Sequence, residues 1–204
     1  MDYGYRAGTY LERQIGQVIK IAGHNYLIHE ILSESRKDEL HEHWGVYEAT
    51  CPDSRTNATR RYALKVRYGM RTRKFRESDL EATDVMAREC FELECRALRT
   101  FTNSGFTPVF YGSDELSSDL NPLYGEGHVW AIVMSLVDGT SVADICGLNV
   151  FEKRIIQDEL IKALEYMRLR GWGWYMQETE QIFYDSARQS MYVFTCIRLY
   201  PFIY

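Results

Sequence analysis

The run V-W-A-I-V-M, from Val129 to Met134, is apolar throughout instead of alternating between apolar and polar residues. This pattern is typical of a strand buried at the centre of a sheet. We extend the predicted strand to Val137, because the Asp138–Gly139 pair that follows would break it. The chain must therefore supply neighbouring strands that build a sheet around this one.

Shorter apolar and β-branched segments predict further strands on both sides of a charged region. A polar stretch without periodicity, 33–43, predicts a long loop, and the charged segment 70–81 is expected to be exposed. A turn-rich segment at 51–59 separates two of the strands. The predicted strands cover residues 17–21, 26–32, 44–49, 62–67 and 108–112.

Helical spacing begins at Thr83 and predicts a helix over 83–101. Phe91, Glu94, Leu98 and Phe101 fall on one face of it. Burying an unpaired carboxylate is costly, so Glu94 is expected either to reach solvent or to meet a cation.

A second helix is predicted over Val150–Arg170, with Asn149 as its cap and Gly171 as its stop. Its apolar face consists of Ile156, Leu160, Leu164 and Met167. We also predict a short helix over 141–146 and two closing strands at 182–184 and 191–195. The order of these elements indicates an α+β fold.

Three motifs in this order resemble the protein-kinase-like superfamily, from about Tyr26 to the end of the chain. They are Y-A-L-K-V around Lys65, E-L-E-C-R-A-L around Glu94 and A-I-V-M-S-L-V-D-G around Met134. The resemblance implies a small antiparallel sheet lobe with one helix, 1–134, followed by a hinge and a truncated, mainly helical lobe, 135–204.

By this resemblance, Lys65 and Glu94 would pair and hold nucleotide phosphates. Met134 would line the back of the pocket, and the backbone of Ser135–Val137 would meet adenine. Two other interpretations stay open. Glu94 could lie at the helix surface beside an arginine, and 129–137 could be an ordinary core strand with a turn.

The segment G-W-G-W-Y-M-Q-E-T-E-Q-I-F-Y-D, from Gly171 to Asp185, departs from the family pattern where the chemistry lies. The resemblance places Met176 at the catalytic aspartate, Gln181 at the metal-binding asparagine and Thr195 at the metal-binding aspartate. A methionine cannot accept a proton, and a neutral hydroxyl is a poor ligand for magnesium.

The nucleotide-covering loop is also altered, since Gly45 is the one glycine that survives in a recognisable place. The preceding polar stretch carries four acidic residues, which would repel a triphosphate. We therefore expect a pseudokinase-like binding or scaffold protein without phosphotransferase activity.

A scaffold of this kind would bind a protein partner or a second copy of itself through an exposed surface of its second lobe. Trp172, Trp174, Tyr175 and the tail Tyr200–Tyr204 are the candidates for that surface. Plain core packing of these aromatic residues is an equally good interpretation.

A repurposed enzyme of isomerase or cyclase type is the alternative function. A remodelled aromatic cleft could bind an apolar small molecule, with Tyr175, Glu178 or Glu180 as acid or base and Lys65 stabilising negative charge. No cofactor is expected, although residual ATP binding through Lys65, Glu94 and the hinge is compatible with the scaffold interpretation.

The composition argues against some classes of partner. A net charge of −5 argues against a nucleic-acid binder, which needs a basic face. No apolar run approaches the roughly 20 residues that cross a bilayer, and the N-terminus lacks the apolar core of a signal peptide. We therefore expect a cytoplasmic protein that binds no membrane.

Metal binding is not expected either. The five cysteines are scattered and include no C-x-x-C motif. His41 and His43 form an H-x-H pair, for which a solvated loop is favoured over a metal site.

Overall fold

The computed structural model describes residues 11–52, 59–71, 77–121, 126–173 and 179–194. The chain divides into two compact units. The first unit comprises Met1–Phe91 and Phe110–Leu136, and the second comprises Glu92–Val109 and Val137–Tyr204. The predicted lobe boundary between residues 134 and 135 stays a prediction.

The first unit contains a six-stranded sheet in which all neighbouring strands are antiparallel. Its order is β1-β2-β3-β4-β6-β5, so the continuously apolar strand β6 lies inside the sheet, as predicted. The strands are β1 (Val18–Ile21), β2 (His24–Lys37), β3 (Glu42–Pro52), β4 (Thr59–Gly69), β5 (Phe110–Leu116) and β6 (Val129–Ser135).

The two ends of this sheet come together, because the turn after β1 contacts β5. The backbone N–H of Ala22 donates to Asp114 Oδ2 at 3.2 Å. Gly112 lies so close to Ala22 that a Cβ at this position would stand 2.8 Å from the Ala22 Cβ. The sheet therefore curls around a core that includes Tyr47, Leu64 and Val133.

The predicted loop at 33–43 is wrong. β2 continues to Lys37, a 3-10 turn covers Asp38–Leu40, and β3 begins at Glu42. Two register irregularities interrupt β2, between Ile28 and Glu30 and between Ile31 and Ser33. Beyond them the carboxylate of Glu34 lies 2.7 Å from Nε2 of the buried His43. The segment looks like a loop in the sequence because its residues are polar, although its inward-facing positions in the strand carry charges that are paired.

Helix α1 (Glu77–Phe101) begins earlier than the predicted helix and connects the two units. The expected exposure of 70–81 is only partly right, because Met70, which precedes α1, is 2% exposed. The predicted apolar stripe is confirmed, with Glu94, Leu98 and Phe101 all buried.

Helix α2 (Val150–Arg168) lies in the second unit and ends two residues before the predicted end. Asn149 caps it as predicted, in a capping box with Glu152. Gly171 adopts a left-handed φ of 74°, as the predicted stop requires.

A three-stranded antiparallel sheet accompanies α2, in the order β7-β8-β9. These strands are β7 (Thr140–Ser141), β8 (Ile182–Asp185) and β9 (Ser190–Val193). The predicted short helix at 141–146 is wrong, because Ser141 belongs to β7 and its Oγ then accepts from the N–H of Ala143 in a turn. In the part of the chain that the structure describes, no helix is long and apolar enough to span a bilayer.

Candidate functional site

Strand β4 directs Ala63, Lys65 and Arg67 to one side of the sheet and Leu64, Val66 and Tyr68 to the other, as its period of two requires. We call the first side the lysine face. In the register of the sheet, Lys65 lies between Val46 on β3 and Ile132 on β6, and Arg67 lies between Trp44 and Trp130. The predicted strand around Lys65 is thus confirmed.

The indole of Trp44 covers the lysine at this face. Lys65 Nζ lies 4.1 Å from the centroid of the Trp44 ring, within the range of a cation–π interaction. Lys37 Nζ, at the end of β2, lies 5.3 Å from the same centroid. The indole Nε1 donates to Glu42 Oε2 at 2.8 Å, and this hydrogen bond holds the ring in place.

A buried ion pair lies beside this contact. Glu42 and Arg67 both have fully buried side chains, and Arg67 Nη2 donates to Glu42 Oε2 at 2.5 Å. Arg67 Nη2 also donates to the carbonyl of Ala87 on α1 at 3.1 Å. The pair therefore connects the start of β3, the end of β4 and the first half of α1.

The carboxylate of Glu42 is held in its charged form. Burial alone would raise its pKa, but the hydrogen bond from His128 and the nearby charge of Arg67 outweigh burial and lower the pKa below the ordinary value. His128 Nε2 lies 2.8 Å from Glu42 Oε1.

Aromatic rings enclose the buried cation. The guanidinium of Arg67 lies 4.8 Å from the Trp44 ring centroid and 5.8 Å from that of Phe91. His128 stacks on Trp130 with ring centroids 3.7 Å apart. This packing keeps water away from the ion pair, which strengthens its attraction while making its disruption costly.

The first half of α1 is fastened to the sheet through the same region. Asp84 on α1 accepts from Arg71 at 2.7 Å, and His128 Nδ1 lies 3.5 Å from the other oxygen of Asp84. Arg88 on α1 lies over the Trp130 ring at 5.0 Å. These contacts belong to the first unit alone.

Glu94 is 5% exposed, so the interpretation that places it at the helix surface is wrong. It belongs to the second unit, whereas Lys65 belongs to the first. The predicted Lys65–Glu94 pair stays a prediction.

The predicted hinge follows β6. Met134 is buried and pairs with Ala63, and Ser135 is the last residue of the strand. Val137 comes after the strand and is half-buried. Their predicted roles beside adenine stay predictions.

Two of the three catalytic candidates, Tyr175 and Glu178, lie outside the described residues. The same is true of Met176 and Thr195, which the resemblance places at the catalytic and metal-binding aspartates. Glu180 is exposed on a 3-10 turn, Thr179–Gln181. Gln181 lies at the end of that turn, and its carbonyl accepts from the N–H of Phe194 at 2.7 Å.

The solvated loop expected around the two histidines is also wrong. His43 is buried beside Glu34, and burial lowers its pKa although the Glu34 carboxylate acts in the opposite direction. His41 has a left-handed φ of 48° in the turn before β3. Across the described ranges, no group of three or more His, Cys, Asp or Glu residues could hold a metal ion.

Trp172 does not belong to the predicted partner surface. It is 6% exposed and packs edge-on against Phe101, with ring centroids 5.5 Å apart. The core interpretation is therefore correct for this residue. Trp174 and the tail Tyr200–Tyr204 lie outside the described residues.

Sequence reasoning missed the cluster of Glu42, Trp44, Arg67 and His128. One signal was present, since Arg67 follows Lys65 at the strand period and must share its face. The partner of Arg67 could not be found, because Glu42 appeared to lie in a loop.

Comparisons with known proteins give a likeness in structure but none in sequence. No protein-family model matches the chain, and no curated protein matches it. Among solved structures, 191 chains match. One is the crystal structure of Rad53 1–466 in complex with AMP-PNP, at a TM-score of 0.53 and 13% identity.

The match covers 74% of this chain and 36% of the Rad53 chain, so the protein spans about a third of that structure's length. At this identity the likeness concerns the fold alone. It is compatible with a kinase-like fold and agrees with a mixed α/β structure that has an antiparallel sheet and two long helices.

Proposed function

We propose that this chain is a pseudokinase-like binding or scaffold protein of the cytoplasm that lacks phosphotransferase activity. The observation that carries the proposal is the buried pair of Glu42 and Arg67, which fastens the β2–β3 hairpin to the lysine face. In kinases, the corresponding loop covers the nucleotide phosphates.

Lifting this hairpin would separate two fully buried charges. Breaking a buried ion pair typically costs about 3–5 kcal/mol, because the remaining charge loses its partner away from water. A nucleotide that needs the hairpin raised must supply that free energy from its own contacts. This cost at Glu42 and Arg67 supports a binding or scaffold role over that of a mobile nucleotide cover.

The substitutions in the catalytic segment support the same proposal. By the family resemblance, Met176 occupies the place of the proton acceptor, and Thr195 that of a magnesium-binding carboxylate. Neither side chain can perform the corresponding step.

A scaffold needs a surface for a protein partner or for a second copy of the chain, and the second unit offers exposed apolar side chains. Val150 and Phe151 lie at the start of α2, and Leu169 follows its end; Phe151 is 63% exposed. Contiguous exposed apolar patches mark interaction surfaces, and Val150 and Phe151 are neighbours in the chain. Replacing Phe151 by glutamate would test this contact by size-exclusion chromatography with light scattering.

The repurposed-enzyme alternative stays a prediction. Its three candidate acids and bases comprise the exposed Glu180 together with Tyr175 and Glu178, which lie outside the described residues. No contact in the described part of the chain specifically favours this alternative over the scaffold function.

The test combines a phosphotransfer assay with thermal-shift titrations of ATP, with and without magnesium. We expect no transfer and no magnesium-dependent stabilisation. A ligand at a hundredfold excess over its Kd would raise the stability by about 2.7 kcal/mol, which the assay would detect.

The wild type is compared with Lys65→Ala and, as a matched control, with Lys20→Ala, which changes an exposed lysine of the same sheet. Phosphate transfer by the wild type would refute the proposal. Stabilisation by ATP that only Lys65→Ala abolishes would establish residual nucleotide binding, and the scaffold would then be nucleotide-sensing.

A further inference from the structure

An arginine with different surroundings lies on the other side of strand β4, away from the lysine face. Arg60 and Tyr62 share this side, because the strand period of two directs alternate side chains the same way. Arg60 is exposed, whereas Tyr62 is half-buried and packs against the core of the sheet. The start of β4 therefore presents a positive charge beside an aromatic ring.

Tyrosine rings hold the side chain of Arg60. Its guanidinium lies 4.8 Å from the ring centroid of Tyr111 and 5.6 Å from that of Tyr62, both within the range of cation–π interactions. Its Nη2 also donates to the hydroxyl of Tyr111. Tyr62 meets Tyr111 edge-on at 5.1 Å and the buried Tyr26 in the same way at 5.3 Å. We call Tyr26, Tyr62 and Tyr111 the tyrosine platform.

A β-bulge positions Tyr111 for this contact. The register of β5 advances from Phe110 to Gly112 while that of β6 advances by a single residue, so Tyr111 has no direct partner on β6. Bulges of this kind bend a strand and re-aim a side chain. Here the bulge accompanies the approach of Tyr111 to an arginine that lies 51 positions earlier in the chain.

Arg60 has no carboxylate partner among the residues that the structure describes. Its contacts there are the ring and hydroxyl of Tyr111 and the ring of Tyr62. The adjacent Arg61 differs, since it forms a two-pronged pair with Glu48. A guanidinium stays charged at physiological pH and carries five N–H donors, of which the Tyr111 hydroxyl accepts from one group. The other donors can bind a carboxylate from outside the chain.

We propose that Arg60 and the tyrosine platform form a docking surface for an acidic segment of a partner protein. A carboxylate of the segment binds Arg60, and a neighbouring apolar side chain packs on the rings of Tyr62 and Tyr111. The inference goes beyond the proposed function, because it names the chemistry of a partner and a surface on the first unit. It does not depend on the exposed residues of the second unit.

The charge of this surface favours a carboxylate over a polyanion. In the described ranges, Arg60 supplies the cation in contact with these rings. A nucleic acid needs several cations along one face, whereas one planar guanidinium matches one carboxylate through two parallel hydrogen bonds. Burial raises the pKa of Tyr26 to about 12, so this phenol adds no negative charge that would repel an acidic partner.

The tyrosine platform gives the contact the strength that an exposed ion pair lacks. An ion pair in water contributes little free energy, partly because two long side chains must be ordered. The rings and the hydroxyl of Tyr111 already order Arg60, so less conformational entropy is lost on binding. Tyrosine and arginine are also enriched among the residues that dominate the energetics of protein interfaces.

The experiment measures the binding of a blocked peptide, acetyl-Leu-Glu-Leu-Glu-Leu-amide, to the full chain by NMR. The peptide should displace the Nε–H signal of Arg60, which is assigned from its absence in Arg60→Gln. The same peptide with glutamine in place of glutamate should leave this signal where it is, because it lacks carboxylates. An equal response to the two peptides would overturn the inference.

Arg60→Gln should weaken the binding of the glutamate peptide about tenfold or more, as expected when a charge-assisted hydrogen bond is lost. Arg61→Gln is the matched control, since it removes an adjacent arginine that already has a carboxylate partner, and it should bind as the wild type does. An unchanged affinity in Arg60→Gln, or an equal loss in Arg61→Gln, would contradict the inference. Neither result would touch the proposed function, which fails only if the wild type transfers phosphate from ATP.

A second measurement needs no peptide. ¹⁵N relaxation of the arginine Nε–H groups should show that Arg60 is more ordered than Arg154, whose side chain is 81% exposed. Tyr111→Phe, which keeps the ring but lacks the hydroxyl, should lose part of this order. An Arg60 side chain as mobile as that of Arg154 would overturn the inference, because the tyrosine platform would then not hold the cation.

Light scattering separates a foreign partner from a second copy of this chain. The wild type should show no self-association that depends on Arg60. Concentration-dependent self-association that Arg60→Gln abolishes would make a second copy the occupant of this surface, and would overturn the inference in its present form.

Discussion

Replacing Arg67 by methionine removes the cation of the buried ion pair while retaining most of the side chain's length. Glu42 would then stay buried with its hydrogen bonds from His128 and Trp44, but without the buried cation that compensates its charge. Breaking a buried pair in this way typically costs about 3–5 kcal/mol. This loss is large beside the total stability of about 5–15 kcal/mol that is usual for a domain.

The chain offers a matched control on the same strand. Arg61 also lies on β4 and forms a two-pronged pair with Glu48, but its side chain is 60% exposed. An exposed pair contributes about 0–1 kcal/mol, so Arg61→Met should be nearly neutral. Comparing Arg67→Met with Arg61→Met separates the effect of burying an ion pair from the effect of forming one.

Urea unfolding, followed by the NMR signals of β4, measures both variants in the unit that contains the pair. The double variant Glu42→Met/Arg67→Met should be more stable than Arg67→Met alone, because it leaves no unpaired charge. The reasoning would be refuted if Arg67→Met cost no more than Arg61→Met, or if the double variant were the least stable of the set.

Three further changes test other parts of the structure. Glu42→Gln should make the free energy of unfolding less dependent on pH in the acidic range. The lowered pKa of Glu42 stabilises the wild type above the unfolded-state pKa, and this stabilisation is lost as pH falls through the lower folded-state pKa. Urea unfolding of both proteins from pH 6 to pH 3 would show the difference. Asn149→Ala should reduce stability by about 1 kcal/mol in thermal unfolding, whereas Asn149→Asp should retain the cap. Gly127→Ala should lower the melting temperature clearly, since its Cβ would stand 1.9 Å from the carbonyl oxygen of Gly69; Gly173→Ala, which meets nothing within 4 Å, should not.

Regular elements were predictable wherever apolar spacing was strong. The strand at 129–137 and the helix at 150–170 follow from uninterrupted patterns, and the structure places β6 and α2 there. The cap at Asn149 could be predicted from the sequence, because capping is a local interaction. Each of these correct predictions depends only on residues that lie close together in the sequence.

The failures share a different cause. The segment 33–43 looks like a loop because its residues are polar, but Glu34 and Glu42 are inward-facing positions of strands. Their partners, His43 and Arg67, are needed to show that the charges are compensated. A periodicity analysis that counts only apolar residues as buried cannot find such strands.

Most of the candidate site was beyond the reach of sequence for the same reason. The position of Lys65 on its strand follows from alternation, but the indole above it depends on the register between β3 and β4. Trp44 lies beside Lys65 only because Val46, two residues further along β3, is the direct partner of Lys65. Register is a tertiary property that no local pattern specifies.

The buried charges themselves fix that register. Glu42 and His43 are adjacent on β3 and point to opposite faces, the first to Arg67 and the second to Glu34. Shifting β3 by one residue would exchange the two faces, so that both ion pairs would break at once. Each broken pair leaves a charge or a polar ring buried without its partner. The shifted register therefore costs much more free energy than a shift between strands that carry only apolar residues. The two ion pairs therefore hold the β2–β3 hairpin in the register that places Trp44 beside Lys65. Their polar residues are also the reason why this segment looks like a loop in the sequence.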